Sequence, residues 1–243
     1  MVEQALILAA GAGSRIVGHV AQPHKAMVEV GGKPILQHTC ECLLEHGVRD
    51  ITIAINPAGD PLRSMLQACD SVSAHLAFVV NEDWERGNGT SVLAAGPLLG
   101  EQFVLTMADH IFDPQIVERM CSQRVDPGQV VLAVDRKLQD IHDMDDATKA
   151  LLEHDRVRAL GKQLEHYNAI DTGMFVCSRE LIGSVREAAG SGAQAVTLSG
   201  GLESIIAAGQ LLYVDVGEAW WQDVDTPSAL LHAQSLLQSA DRS

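Results

Sequence analysis

Apolar and polar positions fall into two alternating kinds of block along this chain. Short apolar runs at residues 5–10 (ALILAA), 50–56 (DITIAIN), 77–80 (AFVV), 102–107 (QFVLTM), 130–134 (VVLAV), 170–177 (IDTGMFVC) and 211–216 (LLYVDV) have the length of buried strands. Longer segments between them carry helical spacing: 34–46, 61–68, 90–99, 114–122, 202–208 and 228–237. Pro34 opens the first of these and Gly47 follows its end, while Thr226 can cap the last and Pro227 can occupy its first turn. Strands alternating with helices predict a mainly parallel sheet covered on both faces. Residues 138–165 break the pattern. They are rich in charge and poor in long apolar runs, which predicts exposed antiparallel strands or a lid. Residues 191–199 read as a small-residue loop. There is no internal repeat, linker or second domain in the pattern, so one domain over 1–243 is expected.

Composition narrows the class. Hydrophobic residues make up 47% of the 243 and charged ones 20%, which predicts a globular core rather than disorder. A net charge of -15 argues against nucleic-acid binding and against an anionic membrane surface. An acidic chain that handles phosphates must gather its few cations in one place or use a metal. No apolar stretch reaches the ~20 residues of a membrane span. The five cysteines (Cys40, Cys42, Cys69, Cys121, Cys177) show no ligand spacing and read as small core residues. Their odd number, with no signal-peptide pattern, predicts a reducing, cytoplasmic setting.

The chemistry is concentrated after the first strand. The run at 5–10 ends in Gly11-Ala12-Gly13-Ser14-Arg15, followed by Pro23-His24-Lys25. A Gly-rich turn at the carboxyl end of a strand forms a nest of N–H groups suited to anionic oxygen, and Arg15 and Lys25 add two cations. This is not a dinucleotide fingerprint. The third glycine would fall at Ile16, and Asn56, not an acid, follows the second strand. No Gly-Lys-Ser/Thr follows, so it is not a P-loop either.

The wider arrangement resembles the nucleotidyltransferase family, in which a nucleoside monophosphate moves from a triphosphate to a small acceptor. The matching pieces are LILAAGAGSR (6–15), PHKAMVEVGGKPIL (23–36), GNGTSVLAA (87–95), VLTMADH (104–110), DTGMF (171–175) and WWQDVDTPSAL (220–230), in the family's order. In detail it is most similar to the CTP:inositol-1-phosphate cytidylyltransferases. Gly87-Asn88-Gly89, Met-x-Asp-His at 107–110, Asp146-Ala147-Thr148-Lys149, Gly161-Lys162-x-Leu164 and Trp221-x-Asp-Val-Asp-Thr carry that closer likeness. Cytidylyltransferases acting on phosphonates or on phosphocholine are also similar. His24 is a departure, because much of the family has Pro-Lys directly.

The resemblance implies an α/β, Rossmann-like three-layer fold with a mainly parallel central sheet and a small acceptor-side lid at 138–165. It also implies roles. Lys25 would touch the α-phosphate and Arg15 the departing β/γ oxygens. Leu8, Ala9, Ala10, Gly11, Ala12, Gly13 and Ser14 would cradle the nucleotide, with Asn81 and Asp109 in the same set. Gly87, Asn88 and Gly89 would read the pyrimidine base. Asp109 and Asp225 are the preferred Mg2+ ligands, with Asp223 beside them. His110, Lys149, Lys162, Asp171, Thr172, Gly173 and Asp223 would face the acceptor.

The chemistry fits these residue types. An acceptor oxygen must attack a phosphorus inside an already anionic nucleotide, so catalysis is largely charge neutralisation and alignment. Magnesium needs only one or two carboxylates. Asp109 ends a strand, where an open α/β sheet places its ligands, and Asp223 and Asp225 share one face of an extended segment. Plainer readings stand beside these. Asp223 and Asp225 also suit a turn before a helix, His110 suits a structural role in its turn, Gly87 suits a simple bend, and Lys149 and Lys162 suit solvated positions. No role follows for Trp84 or Trp220.

The expected activity is transfer of CMP from CTP to a small phosphate or phosphonate acceptor, inositol 1-phosphate first, with Mg2+ and release of pyrophosphate. A homodimer is compatible with the sequence. The rival reading is a catalytically silent nucleotide-binding regulatory subunit, which would be expected to have lost the lysine or the carboxylates. A nicotinamide dehydrogenase is excluded by Ile16 and by the missing acid after the second strand.

Overall fold

The computed structural model describes residues 1–11, 22–192 and 194–240. The readings made for Ala12, Gly13, Ser14 and Arg15 lie outside the described residues.

A nine-stranded sheet forms the centre. In chain order its strands are β1 (Gln4–Ala9), β4 (Asp50–Ile55), β5 (Leu76–Val80), β6 (Gln102–Met107), β8 (Val130–Asp135), β9 (Lys149–Glu153), β10 (Arg156–Gly161), β11 (Ala169–Ser178) and β12 (Leu211–Asp215). Their order across the sheet is β5-β4-β1-β6-β11-β8-β12-β10-β9. Strands β5, β4, β1 and β6 are mutually parallel. β8 and β12 are parallel to each other, while β11 runs antiparallel between β6 and β8. The parallel expectation therefore describes the amino-terminal half, and β11 makes the complete sheet mixed.

Two helical layers follow from alternation along the strands. Ala5, Ile7 and Ala9 of β1 face one cluster, where Leu36, Cys40 and Leu43 of helix α1 (Ile35–Glu45), Leu62 and Leu66 of α2 (Asp60–Gln67), and Ile116, Val117 and Met120 of α4 (Pro114–Cys121) are packed. Leu6 and Leu8 face the other. There α3 (Gly89–Ala95) supplies Val92 and Ala95, α5 (Glu180–Gly190) supplies Leu181 and Val185, and α6 (Leu198–Ala207) supplies Leu202 and Ile205. Each face is covered, as the continuous apolar strands require.

Two small ribbons matter more for the site than their size suggests. β7 (His110–Phe112) pairs antiparallel with β13 (Trp221–Asp223), in the register Trp221 to Phe112, Gln222 to Ile111 and Asp223 to His110. β2 (Glu29–Val30) pairs with β3 (Lys33–Pro34). Val28, Val30, Ile35, Ile111, Val224 and Ala233 close a third apolar cluster, which pins the ribbons to helix α7 (Pro227–Ala240).

The charged stretch 138–165 divides. Residues 136–148 form an irregular loop, and β9 and β10 form a hairpin continuing the main sheet, with Ala150, Leu152 and Val157 buried. The small-residue loop is shorter than expected because α6 starts at Leu198. Thr197 caps it, its side chain accepting from the Gly200 N–H. Gly201 marks close packing, since a Cβ there would collide with Val185 Cγ2.

Candidate active site

The residues around Lys25 are assembled from four distant parts of the chain. Lys25 opens a single 3-10 turn, Lys25–Met27, capped by His24. The His24 Nδ1 accepts the Ala26 N–H at 3.1 Å, so Nε2 must carry the hydrogen that meets the Ala9 carbonyl at 3.0 Å. Burial pushes the His24 pKa down, in keeping with this neutral tautomer. The departure at His24 thus has a structural reason: the ring ties the lysine's turn to the carboxyl end of β1. Asn56, after β4, donates to the Ala10 carbonyl at 3.0 Å and fixes the same strand end.

The Lys25 ammonium ion-pairs with both Asp109 and Asp225. Asp109 follows β6. Asp225 reaches the site through the β7–β13 ribbon, and the Val224 N–H donates to the Asp109 carbonyl at 2.9 Å. The ribbon also sets His110 beside Asp223. His110 Nδ1 lies 2.7 Å from Asp109 Oδ1 and 4.0 Å from Asp223 Oδ1. The imidazole stacks on Trp221 and on Phe112.

Three carboxylates and two cations in a partly desolvated space govern one another's protonation. Burial opposes charge on Lys25, but Asp109, Asp225 and Asp223 outweigh it and hold the ammonium well above its ordinary range. Burial also works against the Asp109 carboxylate, yet His110 and Lys25 keep its pKa well below normal. Burial disfavours charged His110 too, and Asp223 with Asp109 raise it to about 9, so the ring is cationic at neutral pH. Burial, reinforced by Asp109 and Asp225, lifts Asp223 to about 6 despite the opposing pull of His110.

A cavity of about 690 Å³ opens beside this cluster. His110, Asp223 and Asp225 line it, together with Asn88, Lys162, Asp171 and Gly173 from the expected set. Gly173 has φ +79, and a Cβ there would lie 2.8 Å from His110 Nε2, so both backbone and neighbour require glycine. Burial raises Asp171 to about 6. Its Oδ1 accepts from the Gly173 N–H at 2.7 Å.

Other expected contacts point elsewhere. Asn81 is buried and engaged internally: its amide donates to Thr90 Oγ1 at 2.8 Å and Ser91 Oγ at 2.9 Å, and its oxygen accepts from the Asp83 N–H at 3.0 Å. It holds the loop before α3. Thr172 is fully buried, and its hydroxyl donates to the Ala133 carbonyl at 2.9 Å. Lys149 donates to the carbonyls of Ala147 at 3.4 Å and Lys162 at 3.0 Å. Lys162 does face the cavity, paired to Asp146 at 2.5 Å.

The glycines at 87 and 89 have a packing reason. A Cβ on Gly87 would fall 2.5 Å from the Val196 carbonyl oxygen, and one on Gly89 2.9 Å from the Thr197 carbonyl carbon. The Gly89 N–H is itself donated to Val196 at 2.9 Å, so it does not face a ligand edge. Leu8, Ala9 and Ala10 are buried, and their carbonyls accept from Ala108, His24 and Asn56.

Several cavity residues were not anticipated. Asp135 ends β8 and receives the Trp221 Nε1–H at 2.9 Å and Lys137 Nζ at 3.0 Å. Its place at a strand's carboxyl end was the available signal. His142 and His232 also line the cavity and gave no local signal, and so do Trp220 and Gln222, which sit within WWQDVDTPSAL.

The donor set suits a hard cation. Carboxylate oxygens of Asp146, Asp223 and Asp225 lie within 4.8 Å of one another, and the buried Asp223 Oδ1 has no hydrogen-bond partner among the described residues.

Residues 5–199 match the family model of the MobA-like NTP transferase domain. The chain belongs to this family. Among its relatives, the bifunctional IPC transferase and DIPP synthase of Rubrobacter xylanophilus is 34% identical over 235 residues, 96% of this chain and 51% of that protein. The CMP-5'-(3-aminopropyl)phosphonate synthase of Streptomyces rubellomurinus is 27% identical over 239 residues, 92% of this chain and 37% of that protein. The chain spans about half the length of the bifunctional relatives it matches. The solved inositol-1-phosphate CTP transferase from T. maritima superposes with a TM-score of 0.85, covering 98% of this chain and 96% of that one at 24% identity, a likeness of fold. Among the described residues of this NTP transferase domain, no helix is long and apolar enough to cross a membrane.

Proposed function

We propose that this domain transfers CMP from CTP to a small phosphorylated acceptor, releasing pyrophosphate. The observation that carries the reading is the shared contact of Lys25 with Asp109 and Asp225. One cation from the first quarter of the chain meets two carboxylates from its middle and end, beside a cavity, in a member of an NTP transferase family. Inositol 1-phosphate is the first candidate acceptor, supported by likeness to proteins named for IPC transfer. A phosphonate is the second, supported by likeness to the aminopropylphosphonate enzyme.

In this reading Lys25 neutralises charge on the α-phosphate as the acceptor oxygen attacks. Arg15, outside the described residues, holds the oxygens that leave as pyrophosphate. Asp109 and Asp225, with Asp223 adjacent, would hold magnesium, which would supply Lewis-acid charge neutralisation when bound. Protonated His110 buttresses Asp109 and keeps its oxygens oriented. Lys162 and Asp171 stand on the acceptor side of the cavity. The domain works in the cytoplasm. The silent regulatory alternative is disfavoured, because Lys25, Asp109, Asp223 and Asp225 are all present and assembled.

A pyrophosphate-release assay tests the reading. It crosses the four nucleoside triphosphates with inositol 1-phosphate, phosphocholine, sugar phosphates and simple phosphonates, with and without Mg2+. CTP with one phosphorylated acceptor should stand out, and only with the metal. CTP binding by calorimetry with no release across the panel would support the silent subunit instead.

A further inference from the structure

Both sides of the Lys25 cluster are tied to one strand end. On the carboxylate side, the Ala108 N–H donates to the Leu8 carbonyl at 3.2 Å, and Asp109 is the next residue. On the cation side, the His24 Nε2–H donates to the Ala9 carbonyl at 3.0 Å, and Lys25 is the next residue. Leu8 and Ala9 are consecutive in β1, so two adjacent carbonyls set where carboxylate and ammonium stand. The ion pair between Lys25 and Asp109 closes the circuit.

The two bonds of the His24 ring reach different places. Nδ1 accepts the Ala26 N–H at 3.1 Å, a bond that shapes the turn from within. Nε2 reaches a strand 15 residues earlier, and this bond alone of the two relates the lysine to β1. The turn has further anchors. Ala26 is fully buried in the cluster that holds Leu36 and Cys40 of α1, Val28 joins the third apolar cluster, and the Val28 carbonyl accepts the Ile35 N–H at 2.9 Å. Those anchors fix residues after the lysine, whereas His24 fixes the residue before it. Lysine carries its charge on a flexible four-carbon stem, so its head is placed only as well as its backbone is. Both bonds of the ring need the neutral form, which burial favours.

We propose that His24 is a positioning residue for the transfer reaction, setting the Lys25 ammonium against Asp109 and Asp225 through its bond to the Ala9 carbonyl. The proposal rests on the transfer reading above and adds to it a residue that acts through Lys25.

The test measures pyrophosphate release from labelled CTP with Mg2+ and the best acceptor of the panel. It compares wild type, His24→Asn, His24→Gln, Lys25→Met and the double variant His24→Asn with Lys25→Met. Asparagine still caps the turn by accepting the Ala26 N–H but is too short to reach Ala9. His24→Asn should lower kcat by about tenfold to a hundredfold, the effect of misplacing a catalytic group by about 1 Å. KM for CTP and for the acceptor should stay within about threefold, and the thermal midpoint should fall by no more than about 4 °C, the loss of one hydrogen bond. His24→Gln, whose longer amide can donate to Ala9, should recover at least about threefold in kcat over His24→Asn. In the Lys25→Met background, His24→Asn should lower the residual turnover by less than about twofold, because the group it positions is gone. Wild-type kcat in His24→Asn overturns the proposal. So does a His24→Gln variant no faster than His24→Asn, or an equal loss from His24→Asn with and without the lysine, which would mark a structural role. An active wild type with any of these results leaves the transfer reading standing, whereas no release by wild type with every acceptor overturns that reading and this proposal together.

Discussion

In the transfer reading proposed above, Lys25 and magnesium draw on the same two carboxylates, Asp109 and Asp225, so removing the lysine should expose a cation site that needs no nucleotide. The two ion pairs are shielded: the Lys25 side chain is 16% exposed, Asp109 15% and Asp225 12%. Hydrogen bonds between charged groups in such places are worth about 1.5–3 kcal/mol each. Lys25→Met keeps the aliphatic stem and deletes the charge, taking from Asp109 and Asp225 the ammonium they share while His110 still pairs with Asp109, and costing about 3 kcal/mol of stability in metal-free buffer. A divalent cation bound there offsets that loss, by about 2.7 kcal/mol at a concentration a hundredfold above its Kd. In wild type the ion must compete with the ammonium, so nucleotide-free affinity should be at least about tenfold weaker than in Lys25→Met, a difference of about 1.4 kcal/mol. Urea unfolding with and without Mg2+ measures both quantities, and Mn2+ binding followed by electron paramagnetic resonance gives the affinity directly. The variant should be the less stable protein without metal and should gain more from its addition. If Lys25→Met gains no more from Mg2+ or Mn2+ than wild type does, the claim that lysine and metal share these carboxylates is wrong.

Asp109→Asn should lower turnover by about a hundredfold or more while the fold survives, because it removes one charge from the proposed metal site; near-wild-type turnover with an unchanged circular dichroism spectrum would refute the role. Gly173→Ala should cost about 1–3 kcal/mol, since its backbone is left-handed and its new methyl meets His110; an unshifted thermal midpoint would contradict this packing. Partial burial opposes ionisation of Glu41, but hydrogen bonds from Gln37, Lys33 and Ser71 hold its carboxyl at about 2. A depressed carboxyl pKa stabilises the fold above the unfolded value, and the benefit is lost as pH falls through the folded one. Glu41→Gln should therefore cost about 1 kcal/mol or less at neutral pH, the partly exposed site being screened by solvent. The difference from wild type should vanish by about pH 2, and a pH-independent difference in urea midpoints would contradict the pairing.

The large elements were legible because each has a local cause. The apolar runs that became β1, β4, β6 and β8 are continuous because both faces of those strands are covered. Pro34 and Gly47 bracket α1 as end signals should. Asp109, Asp223 and Asp225 stood out because they lie in VLTMADH and WWQDVDTPSAL, two of the stretches that carry the family resemblance. What stayed hidden depends on register. β7 and β13 are three residues each, too short for a period to show, yet their pairing carries Asp225 to Lys25 from 200 positions away. α6 begins earlier than expected because Gly200 and Gly201 look like loop, while the lack of a side chain at Gly201 serves contact with Val185. Asn81 and Thr172 belong with the expected ligand contacts on sequence grounds alone. Their polar atoms are spent on Thr90, Ser91, Asp83 and Ala133, and a sequence does not show where a side chain has already found its partner.

The same reasoning explains why the acceptor end was the harder half to read. The proposed nucleotide end is built from short contiguous motifs around strand ends, where spacing constrains geometry. The proposed acceptor end is built by single residues from the 136–148 loop, the ribbon and α7. Gln222 is the connecting piece: one side of its amide meets the carbonyl of Asp223 and the other meets His232. It couples the strand bearing the proposed metal carboxylate to the His232 ring on α7, so a change at that ring reaches Asp223 through one side chain.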